Sequence, residues 1–461
     1  MMAWLRGHRD TLIVAAVALV VRLAVVVWAA GRIPPTADGS FYHVIAQRIA
    51  NGLGYTWLWP DGVVTYAAHY PVGYPGLLGA SYVLLGGAPW VGMLTNALFG
   101  TLAAAGAHLL AQDAAPRRRA LVVGLIVALH VALVPYTAAL MTEGVAGAAW
   151  MLAVVAAMFA RSSTGRRRIV WLVGLGFILG AATLVRPQTL LLVLPLAWLA
   201  SSWRLSWRHR IGALGLACLV SAMTFSPWIV RNQVRMGEAG LSFNGGWNLL
   251  IGATPSANGT FATLEVPPEC AEVFDEAQKD LCFGRAATTR IVANPTTWLS
   301  LVPKKLAATF DYCGAAGWYL HDANPSAFPY RAKVVLGVVE TLFVRVLVLV
   351  AMFALALASG PRRTPRIVVA LGSSVFLFTP HAWPAVVGLL VLLLLFGRKL
   401  DRMPVAISGT AAALAVTVAS HAVFFGAGRY AMVVFPLLAV LVAGDRACET
   451  ERTTGTRAAE A

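Results

Sequence analysis

Charged side chains are scarce in this sequence, at 12% of its 461 residues, whereas an ordinary soluble domain carries about 25%. Hydrophobic residues make up 59% of the chain, and the mean hydropathy is +0.72. These values exclude an ordinary soluble globular protein. Several apolar runs approach the roughly 20 residues that an α-helix needs to cross a bilayer. We therefore expect the fold class to be an all-α polytopic membrane protein.

Acidic residues are fewer than basic ones, 20 against 36, which gives a net charge of +16. In a soluble protein this balance would suggest nucleic acid as a partner. Here the basic residues stand in short clusters between apolar runs, so we expect them to set the orientation of the chain in the lipid bilayer and predict no nucleic-acid partner. The clusters lie at 6–9, 117–119, 166–168, 204–210, 362–366 and 398–402.

If all of these clusters face the cytoplasm, an even number of crossings separates each cluster from the next. The first apolar run is too long for a cleaved signal peptide, which predicts a retained signal-anchor. The membrane domain is expected to cover 1–445, and the tail 446–461 is expected in the cytoplasm. About twelve transmembrane helices satisfy these conditions, near 11–30, 90–111, 119–138, 144–160, 169–185, 188–202, 211–230, 333–358, 367–380, 384–397, 404–425 and 429–444.

One apolar segment, 71–87, is surplus to this count. It is short and interrupted by Gly and Pro, which favours a re-entrant or interfacial helix on the outer face. A second short amphipathic helix is predicted within 36–55, directly after the first apolar run. The segment 31–89 therefore forms a first extracytoplasmic loop with interfacial helices, and 231–332 forms a second.

Cysteine is rare, with five residues in the chain. Cys270 and Cys282 lie in the second predicted external loop, where an oxidising compartment favours a disulfide between them. Two unpaired thiols are the alternative. No CxxC pair or His/Cys grouping indicates a zinc site, and we expect neither a metal nor a cofactor.

Several arginines are predicted at the outer ends of spans, where the positive-inside rule does not favour them. Each one alone could snorkel to the interface or balance a helix C-terminus. Together they indicate an anionic ligand on the outer side, because a guanidinium group matches phosphate with several donors. These residues are Arg22, Arg186, Arg231 and Arg429.

Two carboxylates are predicted on the same side of the membrane, Asp38 and Glu143. Asp38 could cap the helix that follows it, and Glu143 could balance a helix N-terminus. A carboxylate is also suited to act as a general base. An acid beside outer-face arginines suits removal of a proton while a phosphate departs, which indicates group transfer from a lipid phosphate.

The order and spacing of several segments resemble the C-class of membrane glycosyltransferases, specifically the superfamily of protein O-mannosyltransferases and the lipid A aminoarabinose transferase. The resemblance runs over about residues 10–445. It is carried by "DGSFYHVIAQRIANGLGY", "HYPVGYPGLLGASYVLLGG", "LMTEG", "GAATLVRP", "FSPWIVRNQVRMGEAGLSFNGGWNLLIGATPSANGTF" and "FFGAGRYAMVVFPLL".

The resemblance implies an inverting enzyme of the cell membrane that takes a sugar from a polyprenyl-phosphate donor to an extracytoplasmic protein, polysaccharide or lipid. It assigns Asp38 as the catalytic acid of the first external loop and Glu143 as a second acid. The implied donor-phosphate contacts are Arg186, Arg231, Arg429 and Tyr430. The implied substrate contacts are Tyr42, His69, Tyr70, Asn232, Asn244 and Asn248.

One position departs from the family pattern. Many relatives carry Arg or Lys just before the Pro of the second external helix, where this chain has His69 and Tyr70. Arg186, Arg231 or Arg429 would then supply the charge that meets the lipid phosphate.

A membrane transporter or lipid flippase is the alternative function. Transport predicts charged residues within spans and matching features in two halves of the chain. Glu340 and Arg345 lie within one predicted span and support that view, although they could equally form a buried structural pair. Trp57 and Trp59 are predicted interface anchors, and contact with a sugar ring is their alternative role.

Overall fold

The computed structural model describes residues 8–443 except 203, 255, 360 and 398–401. The predicted tail 446–461 lies outside the described residues. The described chain is mostly helical with very little strand, and short 3₁₀ turns join several of the α-helices. In chain order the α-helices are α1 (Arg9–Ala29), α2 (Asp38–Ala50), α3 (Gly73–Leu85), α4 (Pro89–Ala114), α5 (Arg117–Ala128), α6 (Thr142–Ser162), α7 (Gly165–Val185), α8 (Leu190–Leu199), α9 (Trp207–Met236), α10 (Gly245–Ile251), α11 (Glu276–Ala293), α12 (Pro295–Ser300), α13 (Val302–Phe310), α14 (Ala315–Ala323), α15 (Tyr330–Leu357), α16 (Arg363–Ser374), α17 (Trp383–Leu395), α18 (Val405–Val423) and α19 (Phe435–Leu441).

Within the described ranges, seven helices are long and apolar enough to cross a bilayer: α1, α4, α6, α7, α9, α15 and α18. The other predicted spans fall on shorter helices, several of which are extended by a 3₁₀ turn, as where Pro187–Thr189 precedes α8. The all-α polytopic membrane fold is confirmed, whereas the count of twelve spans is not.

Residues 30–88, termed the first loop region, contain α2, α3 and a β-hairpin between them. Its strands β1 (Thr56–Leu58) and β2 (Val64–Tyr66) pair antiparallel with Thr56 opposite Tyr66. The hairpin was not predicted, although the intervening Pro-Asp-Gly sequence is a turn signal. Helix α3 occupies the segment predicted as an interfacial or re-entrant helix. Its Gly79 allows close packing on α2, because an added Cβ would lie 2.9 Å from Ile49.

Residues 237–329, termed the second loop region, contain helices α10 to α14, of which α11 is the longest. A disulfide joins Cys270 to Cys282, with their Cα atoms 5.9 Å apart. It connects the turn Pro268–Cys270 to α11, and both cysteines pack in a small apolar cluster with Leu250 and Phe283. This cluster attaches α11 to α10, whose residues face the cleft discussed below.

Glu340 and Arg345, both within α15, do not form the pair that was considered for them. Glu340 accepts a hydrogen bond from the backbone N–H of Gly317 at 3.3 Å. The Arg345 guanidinium donates to the carbonyls of Leu377 and Thr379 at 2.9 and 2.6 Å. Residues five apart on an α-helix point about 140° away from each other. The two side chains therefore form hydrogen bonds with different backbone segments.

Candidate active site

A cleft of about 440 Å³ lies between the first loop region, the second loop region and the ends of α6, α7 and α18. Segments far apart in the sequence contribute its walls. Ten of the predicted site residues line it: Asp38, Tyr42, His69, Tyr70, Glu143, Arg186, Asn244, Asn248, Arg429 and Tyr430.

Asp38 is the accessible carboxylate of the cleft. Its side chain is 26% exposed and stands at the first position of α2. One oxygen, Oδ2, contacts Nη2 of Arg429 at 2.8 Å, and the other, Oδ1, accepts a hydrogen bond from the Tyr70 hydroxyl at 2.9 Å. A carboxylate oxygen can accept more than one hydrogen bond, so Asp38 retains capacity for a ligand hydroxyl.

The backbone that carries Asp38 is held in an uncommon conformation. Ala37 has φ of 50° and ψ of −135°, which side chains with a Cβ rarely adopt. Two groups of the neighbouring Thr36 are hydrogen-bonded to α14. Its backbone N–H donates to the Tyr319 hydroxyl at 3.3 Å, and its side-chain hydroxyl donates to Asp322 at 2.6 Å. Strained backbone of this kind persists where surrounding contacts impose it, and it is often found at functional sites.

Glu143 is the enclosed carboxylate of the cleft, with a side chain only 2% exposed. Its Oε1 atom contacts Nη1 of Arg186 at 2.9 Å and lies 3.6 Å from Nε of Arg429. Its Oε2 atom accepts a hydrogen bond from the Tyr136 hydroxyl at 3.0 Å. These contacts suit Glu143 to holding the two arginines in place.

The four charged side chains form one row with alternating signs, in the order Asp38, Arg429, Glu143 and Arg186. Both guanidinium groups also lie near the ring of Tyr430, at 5.1 and 5.2 Å from its centroid. A cation beside an aromatic face is stabilised by the ring quadrupole. Tyr430 thus supports the two arginines, whose charge the two carboxylates balance.

An aromatic wall completes the cleft beside Asp38. The rings of Tyr42 and Tyr70 pack edge to face at 4.9 Å, and His69 packs against Tyr70 at 4.6 Å. Burial lowers the pKa of His69 and raises the pKa of Tyr70. Both side chains are therefore neutral near pH 7, so this part of the cleft wall is uncharged.

The opposite wall comes from the second loop region. Asn244 accepts a hydrogen bond from the Ser242 hydroxyl at 3.0 Å, and Asn248 lies in α10. The backbone N–H of Trp247 donates to Asp280 at 2.8 Å, which attaches α10 to α11. Trp247 lines the cleft and Asp280 supports it from outside the cleft, and neither was predicted as a site residue. The acidic segment around Asp280 has the composition of a solvated helix, which gives no signal of this contact.

Arg231, predicted to contact the donor phosphate, and Asn232, predicted to contact the substrate, do not line the cleft. The Arg231 guanidinium donates to the carbonyls of Tyr55 and Ala67 at 2.7 and 2.9 Å. Asn232 is fully buried and donates to the carbonyl of Gly240 at 2.8 Å. Both side chains connect α9 to the backbone of neighbouring loops, because their positions on the helix turn them away from the cleft.

Among the described residues, no group of three or more His, Cys, Asp or Glu side chains is arranged to hold a metal ion. The acids of the cleft instead contact arginine and tyrosine side chains. The arrangement offers one accessible proton acceptor, two cations and a set of neutral polar and aromatic side chains within one cleft.

Comparison with known proteins gives a family match for part of the chain. Residues 69–230 match the model of the dolichyl-phosphate-mannose-protein mannosyltransferase family, which is less than half of the chain. This match confirms the resemblance to the C-class membrane glycosyltransferases. It includes His69, Tyr70, Glu143 and Arg186 of the cleft but neither Asp38 nor Arg429. A search of the curated proteins found no match.

Among solved structures, the chain is similar to ArnT from Cupriavidus metallidurans bound to undecaprenyl phosphate, at 17% identity and a TM-score of 0.42. That match covers 95% of this chain and 78% of the other. A second match is the oligosaccharyltransferase of Archaeoglobus fulgidus tethered to an acceptor peptide, at 13% identity and a TM-score of 0.45, covering 96% and 49%. Matches at this level carry no conclusion about the substrate of this chain.

Proposed function

We propose that this protein is an inverting glycosyltransferase that moves a sugar from a polyprenyl-phosphate donor to an extracytoplasmic acceptor. The observation that carries the proposal is the row of charges in the cleft, in which the accessible carboxylate of Asp38 contacts Arg429 at 2.8 Å. The match of residues 69–230 to a family named for a lipid-phosphate mannose donor supports the same reaction class.

The cleft is assigned to the extracytoplasmic face. The basic clusters between apolar runs favour the cytoplasm for the opposite ends of the spans. The disulfide between Cys270 and Cys282 lies in the second loop region, which forms one wall of the cleft. A disulfide is stable in an oxidising compartment, which supports the same orientation.

Asp38 is the proposed general base. A hydroxyl of the acceptor would donate a hydrogen bond to its carboxylate and lose its proton to that group during attack on the anomeric carbon. The bond from the acceptor oxygen to this carbon forms as the bond from the carbon to the phosphate oxygen breaks, and the electron pair leaves with the phosphate. A single displacement inverts the configuration at the anomeric carbon.

Arg429 and Arg186 are the proposed donor-phosphate contacts, supported by Tyr430. Their side chains are 24% and 13% exposed, so each guanidinium can be reached from the cleft. Negative charge grows on the phosphate as it departs, and a preorganised donor can contribute about 3 kcal/mol to stabilising that charge. In the resting protein the carboxylates of Asp38 and Glu143 balance these cations.

The walls of the cleft are proposed to contact the sugar and the acceptor. Tyr42, His69 and Tyr70 offer aromatic edges and neutral polar groups on one side, and Asn244 and Asn248 offer amide groups on the other. Such groups suit the hydroxyls of a sugar ring, because amides can both donate and accept hydrogen bonds. The acceptor is a hydroxyl of a protein, a polysaccharide or a lipid.

The experiment uses the purified full-length protein in lipid nanodiscs with a panel of radiolabelled undecaprenyl-phosphate sugars and a cell-envelope acceptor fraction. We expect the wild-type protein to transfer label from one member of the panel. Asp38→Asn should lower kcat by at least about 100-fold, the contribution of a general base, while the melting temperature stays near that of the wild type.

Asp61→Asn is the matched control, because Asp61 lies in the exposed turn of the β-hairpin. Its activity should equal that of the wild type. Full activity of Asp38→Asn would remove Asp38 from the catalytic role. If the wild-type protein transferred no sugar but moved a fluorescent polyprenyl lipid across proteoliposomes, a transporter would replace the enzyme as the function.

A further inference from the structure

One peptide unit next to the cleft is held between two opposite charges. The carbonyl oxygen of Ala67 accepts a hydrogen bond from the Arg231 guanidinium at 2.9 Å. The N–H of Ala68, in the same peptide unit, donates to the carboxylate of Glu276 at 2.6 Å. Since the carbonyl end of a peptide is its negative end, this arrangement aligns the peptide dipole with both charges.

Further bonds restrain the backbone on both sides of this peptide. The carbonyl of Ala68 accepts from the backbone N–H of Phe243 at 2.8 Å. The carbonyl of Tyr70 accepts from the Tyr55 hydroxyl at 2.8 Å, and the carbonyl of Tyr55 in turn accepts from Arg231. Ala67 and Ala68 are buried. The segment 67–70 is thus attached to α9, to α11 and to the start of the second loop region.

This segment carries the side chains that meet the proposed base. The Tyr70 hydroxyl donates a hydrogen bond to Asp38 at 2.9 Å, and His69 lies beside Tyr70 on the cleft wall. A shift of the 67–68 peptide would therefore move the Tyr70 hydroxyl relative to Asp38. Displacements of about 1 Å at a reacting group are enough to slow catalysis strongly.

We propose that Glu276 is a positioning residue for sugar transfer: through the peptide between Ala67 and Ala68 it sets the place of Tyr70 on Asp38. The proposal rests on the proposed function. Arg231, which does not line the cleft, has the complementary role of holding the carbonyl end of the same peptide. Glu276 touches neither the cleft nor, in the proposed reaction, the reacting atoms.

The electrostatic surroundings of Glu276 make this contact dependent on pH. Burial raises the pKa of Glu276 to about 7, the hydrogen bond from Ala68 opposes that rise, and Asp275, Arg231 and Asp280 are the charged groups facing it. Below this pH the carboxylate takes up a proton and becomes a weaker acceptor for the Ala68 N–H. The rate of transfer should then fall as the pH falls through about 7.

The test compares Glu276→Ala, Glu276→Gln and the wild-type protein in lipid nanodiscs. Hydrogen exchange of the peptide covering 67–70 should be about 10-fold faster in Glu276→Ala, the size of one lost hydrogen bond. With the radiolabelled donor that the wild type uses, kcat should fall by about 10-fold and the KM for the donor should change by less than twofold.

Glu276→Gln keeps a hydrogen-bond acceptor of the same length but, like the protonated carboxyl group, carries no charge. Its kcat should therefore lie between those of the wild type and Glu276→Ala, and it should not show the decline in rate below pH 7. Glu272→Ala is the matched control, since Glu272 is exposed in the same loop region. Its exchange, rate and pH profile should equal those of the wild type. A melting curve of each variant establishes that the fold is intact.

Three outcomes would overturn the proposal. If hydrogen exchange of 67–70 and kcat in Glu276→Ala equalled those of the wild type, the peptide would be held in position without Glu276. Equal losses in Glu276→Ala and Glu276→Gln, with an unchanged pH profile, would assign Glu276 to stability alone. Absence of transfer by the wild-type protein would remove the proposed function itself, an outcome distinct from the other two because no variant is involved.

Discussion

The carboxylate of Asp38 and the guanidinium of Arg429 lie 2.8 Å apart although 391 positions of sequence separate them. One residue begins α2, near the start of the chain, and the other lies in the 3₁₀ segment Gly428–Val434, near its end. About a quarter of each side chain is exposed. An ion pair that remains this accessible can exchange partners. In the proposed reaction, Arg429 would contact the donor phosphate while Asp38 accepts a hydrogen bond from the acceptor hydroxyl.

Arg429→Lys tests the bridging geometry of the guanidinium. Arg429 contacts Asp38 and Glu143 through different nitrogens, whereas a single ammonium group cannot reproduce that fork. We expect kcat to fall by about 100-fold, because a displaced donor no longer meets the departing phosphate. The measurement is steady-state transfer of labelled sugar in lipid nanodiscs.

The control for this variant is Arg235→Lys, which changes an exposed arginine outside the cleft. It should leave kcat and KM at wild-type values. Full activity of the Arg429→Lys protein would show that a positive charge alone suffices at this position. The simultaneous contact of the guanidinium with Asp38 and Glu143 would then be unnecessary.

Glu143→Gln should act on donor binding and stability more than on the chemical step. Glu143 is enclosed, and the substitution leaves Arg186 without its carboxylate partner at 2.9 Å. Breaking a buried ion pair from one side costs about 3 kcal/mol of unfolding free energy. We expect a lower melting temperature and a raised KM for the donor, with a smaller loss of kcat than in Asp38→Asn.

The comparison of these two acids is itself decisive. If Glu143→Gln abolished transfer as completely as Asp38→Asn while its KM for the donor stayed unchanged, Glu143 would share or hold the role of general base. Direct binding of undecaprenyl phosphate, followed by native mass spectrometry, separates the effect on affinity from the effect on rate.

Ala37→Gly tests the strained backbone before Asp38. Glycine adopts a φ of 50° without the steric cost that a Cβ imposes. The release of strain should exceed the added flexibility of the unfolded chain and raise the unfolding free energy by about 1 kcal/mol. Transfer should slow severalfold, because the anchor of Asp38 becomes more flexible. Thermal melting and kcat are the two measurements.

The control within the same helix is Ala46→Gly. Ala46 is buried in the regular part of α2, where glycine lowers helix stability by about 1 kcal/mol. The two substitutions should therefore have opposite effects on the melting temperature. A loss of stability in both would show that the conformation of Ala37 carries no strain.

The raised pKa of Glu276 predicts that the stability of the protein depends on pH with a defined sign. Its pKa in the folded protein is about 7, above the ordinary value of 4.5, so the folded state binds this proton more tightly than the unfolded state. Its contribution to stability is therefore lost as the pH rises from about 4.5 to about 7. His69 acts in the opposite direction, since burial lowers its pKa.

The measurement is the difference in melting temperature between the wild type and Glu276→Gln at a series of pH values, because a difference cancels the contribution of His69. The advantage of the glutamine variant should grow as the pH rises through this window. A constant difference would contradict the raised pKa. Glu272→Gln, at an exposed position, should follow the wild type at every pH.

Composition and hydropathy were sufficient to predict an all-α membrane fold, because lipid exposure demands long apolar helices whatever their neighbours. The number of crossings could not be confirmed in the same way. Several predicted spans consist of short helices and 3₁₀ turns, as at Pro187–Thr189. Hydropathy records the apolar content of such a segment but not where its backbone hydrogen bonds are interrupted.

The residue types and their order in the chain determined which side chains were candidates for the cleft. Acids and arginines predicted at the outer ends of spans were candidates, because the positive-inside rule does not account for arginines there. Arg231 met the same criterion, yet it binds the carbonyls of Tyr55 and Ala67. Glu276 was not a candidate, because it lies in an acidic segment with the composition of a solvated helix. Whether a side chain faces the cleft depends on its direction around the helix axis and on how that helix packs. The position of a residue in the sequence does not specify either.

The sequence by itself thus determined that this chain enters a membrane and that it carries acids and arginines suited to a phosphate. Only the tertiary structure decided which of them meet. The contacts that join Asp38 to Arg429, and Ala68 to Glu276, cross hundreds of positions, and packing of whole helices and loops sets such distances. Local residue patterns contain the chemistry of each group, whereas the pairing of groups arises from the fold as a whole.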